Sequence, residues 1–434
     1  MEILDKKNGQ PIALHDPADD VPIQLLFEAA AAIYDTKSYE RALPLFEKAA
    51  RRGLAGAQFM CGRMYLYGEG TPVDMAKAVS YLEQAARQDD ARAQLLCGDL
   101  YRNQAHTPED LTKALNWMER AARQGLADAQ YICGLMHFNG EGTPVDMGKA
   151  LIWFEQAAQQ DDIEAQHICG EMYLKGYGTE RDMTKALMWY EKAAQHGFAD
   201  AQHLCGEMYR RGEGAPADMT KALMWYEQAA QQGVAGSQYA CGEMYYYGEG
   251  APADRAKAFF WYGKAARQGL AFAQHNYGQM CLDGEGTPAD RDNALYWIEQ
   301  AAQQGLVNAQ YTCGLMYFNG EHAPADANRA LYWFEQAARQ GHVGAQFLCG
   351  TIFRRAEELP KALLWYEQAA RQGHPEAQYN CGFMYLNGSG TEKDMNKALI
   401  WFEQAAAQTK SEQVRMAASE ILQKYFTDLP ASRS

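Results

Sequence analysis

The sequence predicts an all-α fold, a right-handed α-solenoid of stacked helix-turn-helix repeats. Three observations predict it. An Ala-Gln dipeptide recurs at a fixed interval, each interval carries two stretches with helical apolar spacing, and glycine clusters punctuate the stretches. The glutamine of the dipeptide falls at Gln58, Gln94, Gln130, Gln166, Gln202, Gln238, Gln274, Gln310, Gln346 and Gln378, with Ser237 replacing the alanine once. Eight intervals are 36 residues and the last is 32. A length of 434 residues would suggest roughly three domains at about 150 residues each. The repeat replaces that expectation with one array, because self-similarity at 20–50 residues marks a stack of identical units.

The unit at residues 126–161 shows the reasoning. Residues 127–139 read ADAQYICGLMHFN and stop at Gly140-Glu141-Gly142, and residues 146–160 read DMGKALIWFEQAAQQ. Ala129, Cys133, Met136 and His137 follow i, i+4, i+7, i+8 spacing, one face of a helix, and Ala150, Phe154, Ala157 and Ala158 do the same. Gly140 is placed to end the first helix in a left-handed conformation that glycine adopts cheaply. Asp146 stands where a carboxylate caps the free N–H groups of the second. A lone hairpin of this kind cannot bury its apolar faces, and stacking supplies the missing neighbours. The expected organisation is a flexible N-terminal tail at 1–20, a helical hairpin at 21–53, ten repeats at 54–409 with the ninth shortened, a capping helix at 410–426 and a tail at 427–434.

The pattern A-Q-x-x-C-G-x-M-Y-x-x-G-x-G, followed by D-M-x-K-A-L-x-W-Y-E-Q-A-A-x-Q-G, resembles the Sel1-like repeat of bacterial proteins, a relative of the tetratricopeptide repeat. Residues 21–53 look like a tetratricopeptide-type hairpin without the extended loop. The resemblance implies a non-catalytic scaffold that binds protein or peptide. It also implies an alternative, since some cysteine-rich relatives are described as β-lactamase-like hydrolases. That chemistry needs a Ser-x-x-Lys motif, and none of Ser38, Ser80, Ser237, Ser389, Ser411, Ser419, Ser432 or Ser434 has lysine three residues on.

Composition narrows the partners. Lys+Arg 40 against Asp+Glu 55 gives a formal charge of −15, which argues against nucleic acid and anionic lipid. Residues 1–20 lack the apolar stretch of a secretory signal, and no run approaches the roughly 18 apolar residues that cross a bilayer. A cytoplasmic protein is expected.

Several residues look chemical and read better as structure. Nine of ten cysteines (Cys61, Cys97, Cys133, Cys169, Cys205, Cys241, Cys313, Cys349, Cys381) share one apolar helix register. Units about 10 Å apart are too far for the roughly 7 Å limit of a disulfide. No zinc spacing is present, so neither metal nor cofactor is expected. The tryptophans from Trp117 to Trp401 occupy one position of the second helix and are expected to pack between repeats. The glutamine series is expected to hydrogen-bond backbone. His167, His203 and His275 share a register expected to be exposed, without a fixed acid or nucleophile beside them.

The copies differ along one stripe. Counting from the glutamine, positions −1, +3, +6 and +7 hardly change, whereas +1, +5 and +8 lie on the opposite side of the first helix and vary. The first helix of tetratricopeptide-like stacks lines the concave wall, so this resemblance makes the stripe a groove. Its central members are Tyr131, His167, Glu171, His203, Glu207, Arg210, Tyr239, Glu243, Tyr246, His275 and Tyr311. Aromatics and arginine are the usual interface anchors. The glutamates suit a partner with a basic segment, including a toxin or enzyme neutralised by an immunity-type inhibitor. The alternative is that position +1 tucks sideways between helices. Repeat nine lacks the Gly-Glu-Gly loop and places Arg354 and Arg355 together.

Overall fold

The computed structural model describes residues 3–4, 11–12, 21–105, 107–320, 325–408 and 411–426. Among these it contains 23 helices and one antiparallel pair of short strands, Ile3–Leu4 with Pro11–Ile12. The rest of the expected N-terminal tail, and the tail at 427–434, lie outside the described residues. The chain divides into two compact units, Met1–Asp218 and Met219–Ser434. Within each, every helix packs chiefly on the helices before and after it.

Local chemistry builds each hairpin as the spacing requires. In one repeat the first helix spans Ala127–Asn139 and ends at Gly140 with φ 75°. The second spans Met147–Ala158, and the Asp146 carboxylate accepts from the Lys149 N–H at 3.0 Å. The glycine of the first helix, Gly134, lets the two rods touch. A Cβ there would lie 2.6 Å from ring carbons of the fully buried Phe154. The loop glycine Gly142 (φ 73°) sits so close to the preceding repeat that a Cβ would meet the Leu111 carbonyl oxygen at 2.4 Å. The loop therefore measures the distance between repeats as well as stopping a helix.

Repeat two departs from the pattern, as repeat nine does. It lacks the Gly-x-Gly turn, and its second helix starts early at Pro108 behind a Thr107–Asp110 capping box. Repeat nine turns instead through Glu357 at φ 60°. The C-terminal helix Glu412–Phe426 packs on Met395–Ala406 and brings Phe426 to 6.4 Å from Phe402. It covers an apolar end that would otherwise face water.

The repeated polar residues are structural. Every Ala-Gln glutamine is buried, and its Nε2 donates to the carbonyl of the alanine eight residues earlier, as Gln130 does to Ala122 at 3.1 Å. The amide of a second glutamine closes the rung: Gln160 Nε2 reaches Gln130 Oε1 at 2.7 Å, and Gln268 reaches Gln238 at 2.8 Å. One rung is incomplete. His196 stands where the donor glutamine would be, and Gln166 Oε1 is buried without a hydrogen-bond partner. A buried acceptor left unpaired costs about 1–3 kcal/mol. His196→Gln is therefore expected to raise stability by about 1 kcal/mol, read as a shift in the urea midpoint at unchanged slope.

All ten cysteines are free and buried. Burial pushes the Cys61 and Cys97 thiols up to about 12, so they are protonated and poor nucleophiles at neutral pH. Trp189, Trp225, Trp261 and Trp333 are buried and Trp117, Trp153, Trp297, Trp365 and Trp401 half-buried, as packing between helices requires.

Candidate functional site

The first helices fix the geometry of the stripe. Steps of about 100° per residue put −1, +3, +6 and +7 around one direction and +1, +5 and +8 around the opposite one. By phase +1 lies almost directly opposite the core of its own hairpin, with +8 and +5 about 25° and 35° to either side.

Position +1 does not form an open wall. Tyr131, His167, His203, Tyr239, His275 and Tyr311 are all half-buried. Tyr131 lies 5.8 Å from Phe154, His167 5.5 Å from Tyr190 and 5.0 Å from Phe198, and Tyr239 5.6 Å from Tyr262. Tyr311 stacks on His342 at 4.2 Å. His167, Tyr239 and Tyr311 thus wedge between the core aromatic of their own repeat and the start of the next first helix. The exposed histidine register expected from the sequence is corrected here. Burial lowers the pKa of His167, His203 and His275, and the Nδ1 atoms of His167 and His275 are buried without hydrogen-bond partners. A position opposite the core in one hairpin is beside the next hairpin in a stack.

Positions +5 and +8 stay accessible but engaged. Glu171 pairs with Lys175 at 2.5 Å and Glu207 with Arg211 at 3.3 Å, and the Tyr239 hydroxyl donates to Glu243 at 3.0 Å. Glu171 and Glu207 belong to the first unit and Glu243 to the second, so the acidic trio is a pair and a single residue. Arg210 is half-buried.

Position +8 also has a structural task. At Arg102 and Tyr246 it ties to the glutamate in the Gly-Glu-Gly turn of the following repeat. Arg102 donates to Glu141 through Nε at 2.7 Å and Nη2 at 3.2 Å, a bidentate pair of the strong kind. Hydrogen bonding to Glu285 and burial raise the pKa of Tyr246 in the same way.

Two concavities contain predicted residues. In the first unit an open cleft of about 540 Å³ is lined by Glu207 with Leu174, Leu204, Met208, Tyr177, Lys175, Arg181, Arg211 and Glu213. In the second, a pocket of about 110 Å³ is lined by Tyr246 with Tyr247, Tyr262, Asn276, Gln279, Met280, Asp283 and Glu285. Among the described residues no group of three or more His, Cys, Asp or Glu could hold a metal ion. No helix there is long and apolar enough to cross a membrane.

Sequence reasoning missed a second surface. The residue before eight of the nine tryptophans is large, apolar and exposed: Ile152 and Met188 in the first unit, and Met224, Phe260, Tyr296, Tyr332, Leu364 and Ile400 in the second, between 41% and 55% exposed. The signal was available. In Ile152-Trp153-Phe154 the outer residues are about 200° apart on a helix, so with Phe154 in the core, Ile152 must face away from it.

Comparison with known proteins gives a family. The family model described as Sel1 repeat matches residues 34–54, the eight consecutive 36-residue blocks from 55 to 342, 355–374 and 375–410. The crystal structure of c5321, described as a protective antigen present in uropathogenic Escherichia coli strains displaying an SLR fold, is 32% identical. The match covers 88% of this chain and 82% of that one, with a TM-score of 0.73. A Sel1 repeat protein from Oxalobacter formigenes is 28% identical over 83% of this chain and 93% of that chain, with a TM-score of 0.52. No curated protein matches the chain significantly.

Proposed function

The chain belongs to the Sel1 repeat family, whose members generally mediate protein–protein interaction, and we propose that it is a non-catalytic adaptor that grips a protein or peptide partner on its first-helix face. A single observation supports the reading most. Positions that pack the hairpins are nearly invariant from copy to copy, whereas +5 and +8 change identity, with carboxylates at Glu171, Glu207 and Glu243 and anchor residues at Arg210 and Tyr246. A face that needed only solvation would carry no such bias toward aromatics and arginine. The carboxylates select a partner with a basic segment, and the net charge of −15 steers it by long-range attraction. One form of this activity is neutralisation of a basic toxin or enzyme inside the cytoplasm. The +1 rings contribute the rigidity of the wall more than its contact surface.

Changing Glu171, Glu207 and Glu243 together to Lys tests the reading. We expect affinity capture from cells of the source organism, followed by mass spectrometry, to lose a partner that the parent chain retains. The melting temperature should stay within a few degrees, because Glu171 and Glu207 form exposed ion pairs worth at most about 1 kcal/mol each and Glu243 accepts a single hydrogen bond from Tyr239, worth about 1 kcal/mol. Identical capture by both proteins removes the site. Turnover of any substrate in a broad hydrolase panel, abolished by one point mutation, removes the adaptor reading altogether.

A further inference from the structure

We propose that the exposed apolar row on the second helices of the second unit is a further docking face, and that its Met224, Phe260 and Tyr296, beside the cations Lys264 and Arg267, take an acidic amphipathic helix of a partner. Docking here does not rest on the first-helix reading, because the face is a different one and selects the opposite charge. Exposure of the row has no structural cause. Met224 is 42%, Phe260 52% and Tyr296 54% exposed. The equivalent position holds Ser80 and Asn116 in the first two repeats, both exposed, so the hairpin folds without an apolar residue there. Large apolar side chains kept in water once per repeat mark an interaction surface. Repeats stack about 10 Å apart, and a helix advances about 10.5 Å in seven residues. A helical partner with one apolar residue per heptad therefore keeps step with the row.

Charge selects the partner's acidic side. In the other repeats of this unit the second residue after the tryptophan is a glutamate: Glu227, Glu299, Glu335, Glu367 or Glu403. Where an arginine follows four residues later it is paired, Arg339 with Glu335 at 2.8 Å and Arg371 with Glu367 at 2.9 Å. The helix Arg255–Arg267 carries Gly263 there instead. Tyr277 of the next repeat fills the space, and a Cβ at Gly263 would lie 2.8 Å from its ring. The helix is left with the cations Arg255, Lys257, Lys264 and Arg267 and no acid. Arg255 pairs with Glu285, whereas Lys264 and Arg267 make no ion pair among the described residues. Lys257, Phe260, Lys264 and Arg267 fall within about 80° on one helix face. Lys264 Nζ stands 5.5 Å from the Phe260 ring centroid, so an apolar contact and a carboxylate contact are offered side by side.

The flanking helices, Met219–Gln231 and Arg291–Gln303, do not supply the missing acid. Glu227 and Glu299 are half-buried and accept from the Tyr245 and Tyr317 hydroxyls at 2.6 Å. Asp292 is exposed, but its register is that of Ala256, level with Lys257 and about 12 Å along the axis from Lys264. The net charge of −15 is screened beyond about 8 Å at physiological salt, so a partner in contact meets the local cations. A second copy paired row on row would bring the same cations again.

The experiment uses the full chain with 13C-methyl methionine at about 0.15 M salt. Met224 belongs to the row, and its resonance is identified by Met224→Leu. The probe is a three-heptad alanine-based helix with one phenylalanine per heptad and glutamates flanking it. It should move the Met224 resonance saturably. The same helix with glutamine for glutamate should bind at least about 10-fold more weakly, and with alanine for phenylalanine it should leave the resonance in place. Lys264→Gln with Arg267→Gln should weaken the glutamate helix to the level of the glutamine helix and leave the latter unchanged. Phe260→Ala, at an exposed position, should weaken both with the fold intact, as the unmoved resonance of the buried Met316 would confirm. Equal affinity for the glutamate and glutamine helices overturns the proposal, as do unchanged binding by the double variant or by Phe260→Ala, or no shift with any helix. A Met224 shift on concentrating the chain alone assigns the row to a second copy, and one from phosphatidylglycerol vesicles without any from the helix assigns it to lipid; either result also overturns it. The variant with Glu171, Glu207 and Glu243 changed to Lys should retain the titration, so the two faces fail separately.

Discussion

Gly134→Ala is expected to destabilise the protein by about 2 kcal/mol through overpacking, and the same substitution made in a Phe154→Ala background is expected to stabilise it. The inversion follows from one contact. The new Cβ would lie 2.6 Å from the Phe154 ring, and that ring is fully buried, so it has nowhere to move. Inserting a methyl group into such a site costs about 1–3 kcal/mol. Truncating Phe154 costs about 3–5 kcal/mol as a cavity, and the clash then disappears. What remains is the intrinsic preference of a helix for alanine over glycine, about 1 kcal/mol. The coupling between the two sites should therefore reach about 2 kcal/mol or more, well above the few tenths seen for independent positions. Unfolding of a stacked array is not guaranteed to be two-state. Hydrogen exchange of the 127–158 hairpin is consequently the decisive readout. Additive effects in that hairpin would show that the two rods are not held together by this contact.

The same pair explains why so much of the fold was legible. The glycine of each first helix and the large buried residue after each tryptophan recur because one contact recurs. Repetition then fixes the hairpin without any neighbour being known, as the agreement over Ala127–Asn139 and the cap at Asp146 shows. The stripe was legible only in part. Helical phase says correctly that His167 and Tyr239 lie opposite the core of their own hairpin. It cannot say that the next hairpin's Phe198 or Phe272 stands beside them, because that depends on the offset between repeats. The offset is set by backbone contacts such as Gly142 on Leu111, which leave no apolar period to read. Pairings across repeats were hidden for the same reason: Arg102 and Glu141 are 39 residues apart, and neither residue type is invariant at its position.

Stability should fall between neutral pH and about pH 5 by more than carboxylate protonation explains, and the excess should shrink when the wedged histidines His167, His203 and His275 are replaced. Five histidines contribute. Burial lowers the pKa of each: His167, with Glu171 and Asp200 opposing the shift; His203, with Glu207 and Asp200 opposing it and Arg211 assisting; His275, by burial alone; His342, opposed by its own backbone; and His374, opposed by Glu376. The sign follows from linkage. A histidine with a folded-state pKa below its unfolded value of about 6.5 binds more protons when unfolded. Its stabilisation is complete above that value and is lost as pH falls from there toward the folded pKa. Geometry adds a second cost at two of the sites. His342 Nδ1 accepts from the Ala345 N–H at 3.1 Å, and His374 Nδ1 from the Ala377 N–H at 3.4 Å. Protonation removes both acceptors from helix N-termini, where positive charge is also disfavoured. The repeats themselves supply the control, since Tyr131, Tyr239 and Tyr311 occupy the register of His167, His203 and His275. The triple variant His167→Tyr, His203→Tyr and His275→Tyr should match the parent at pH 7.5 and melt several degrees higher at pH 5.5. Parallel melting curves for the two proteins across that range would mean that these rings titrate as solvated histidines, and the wedge would have to be abandoned.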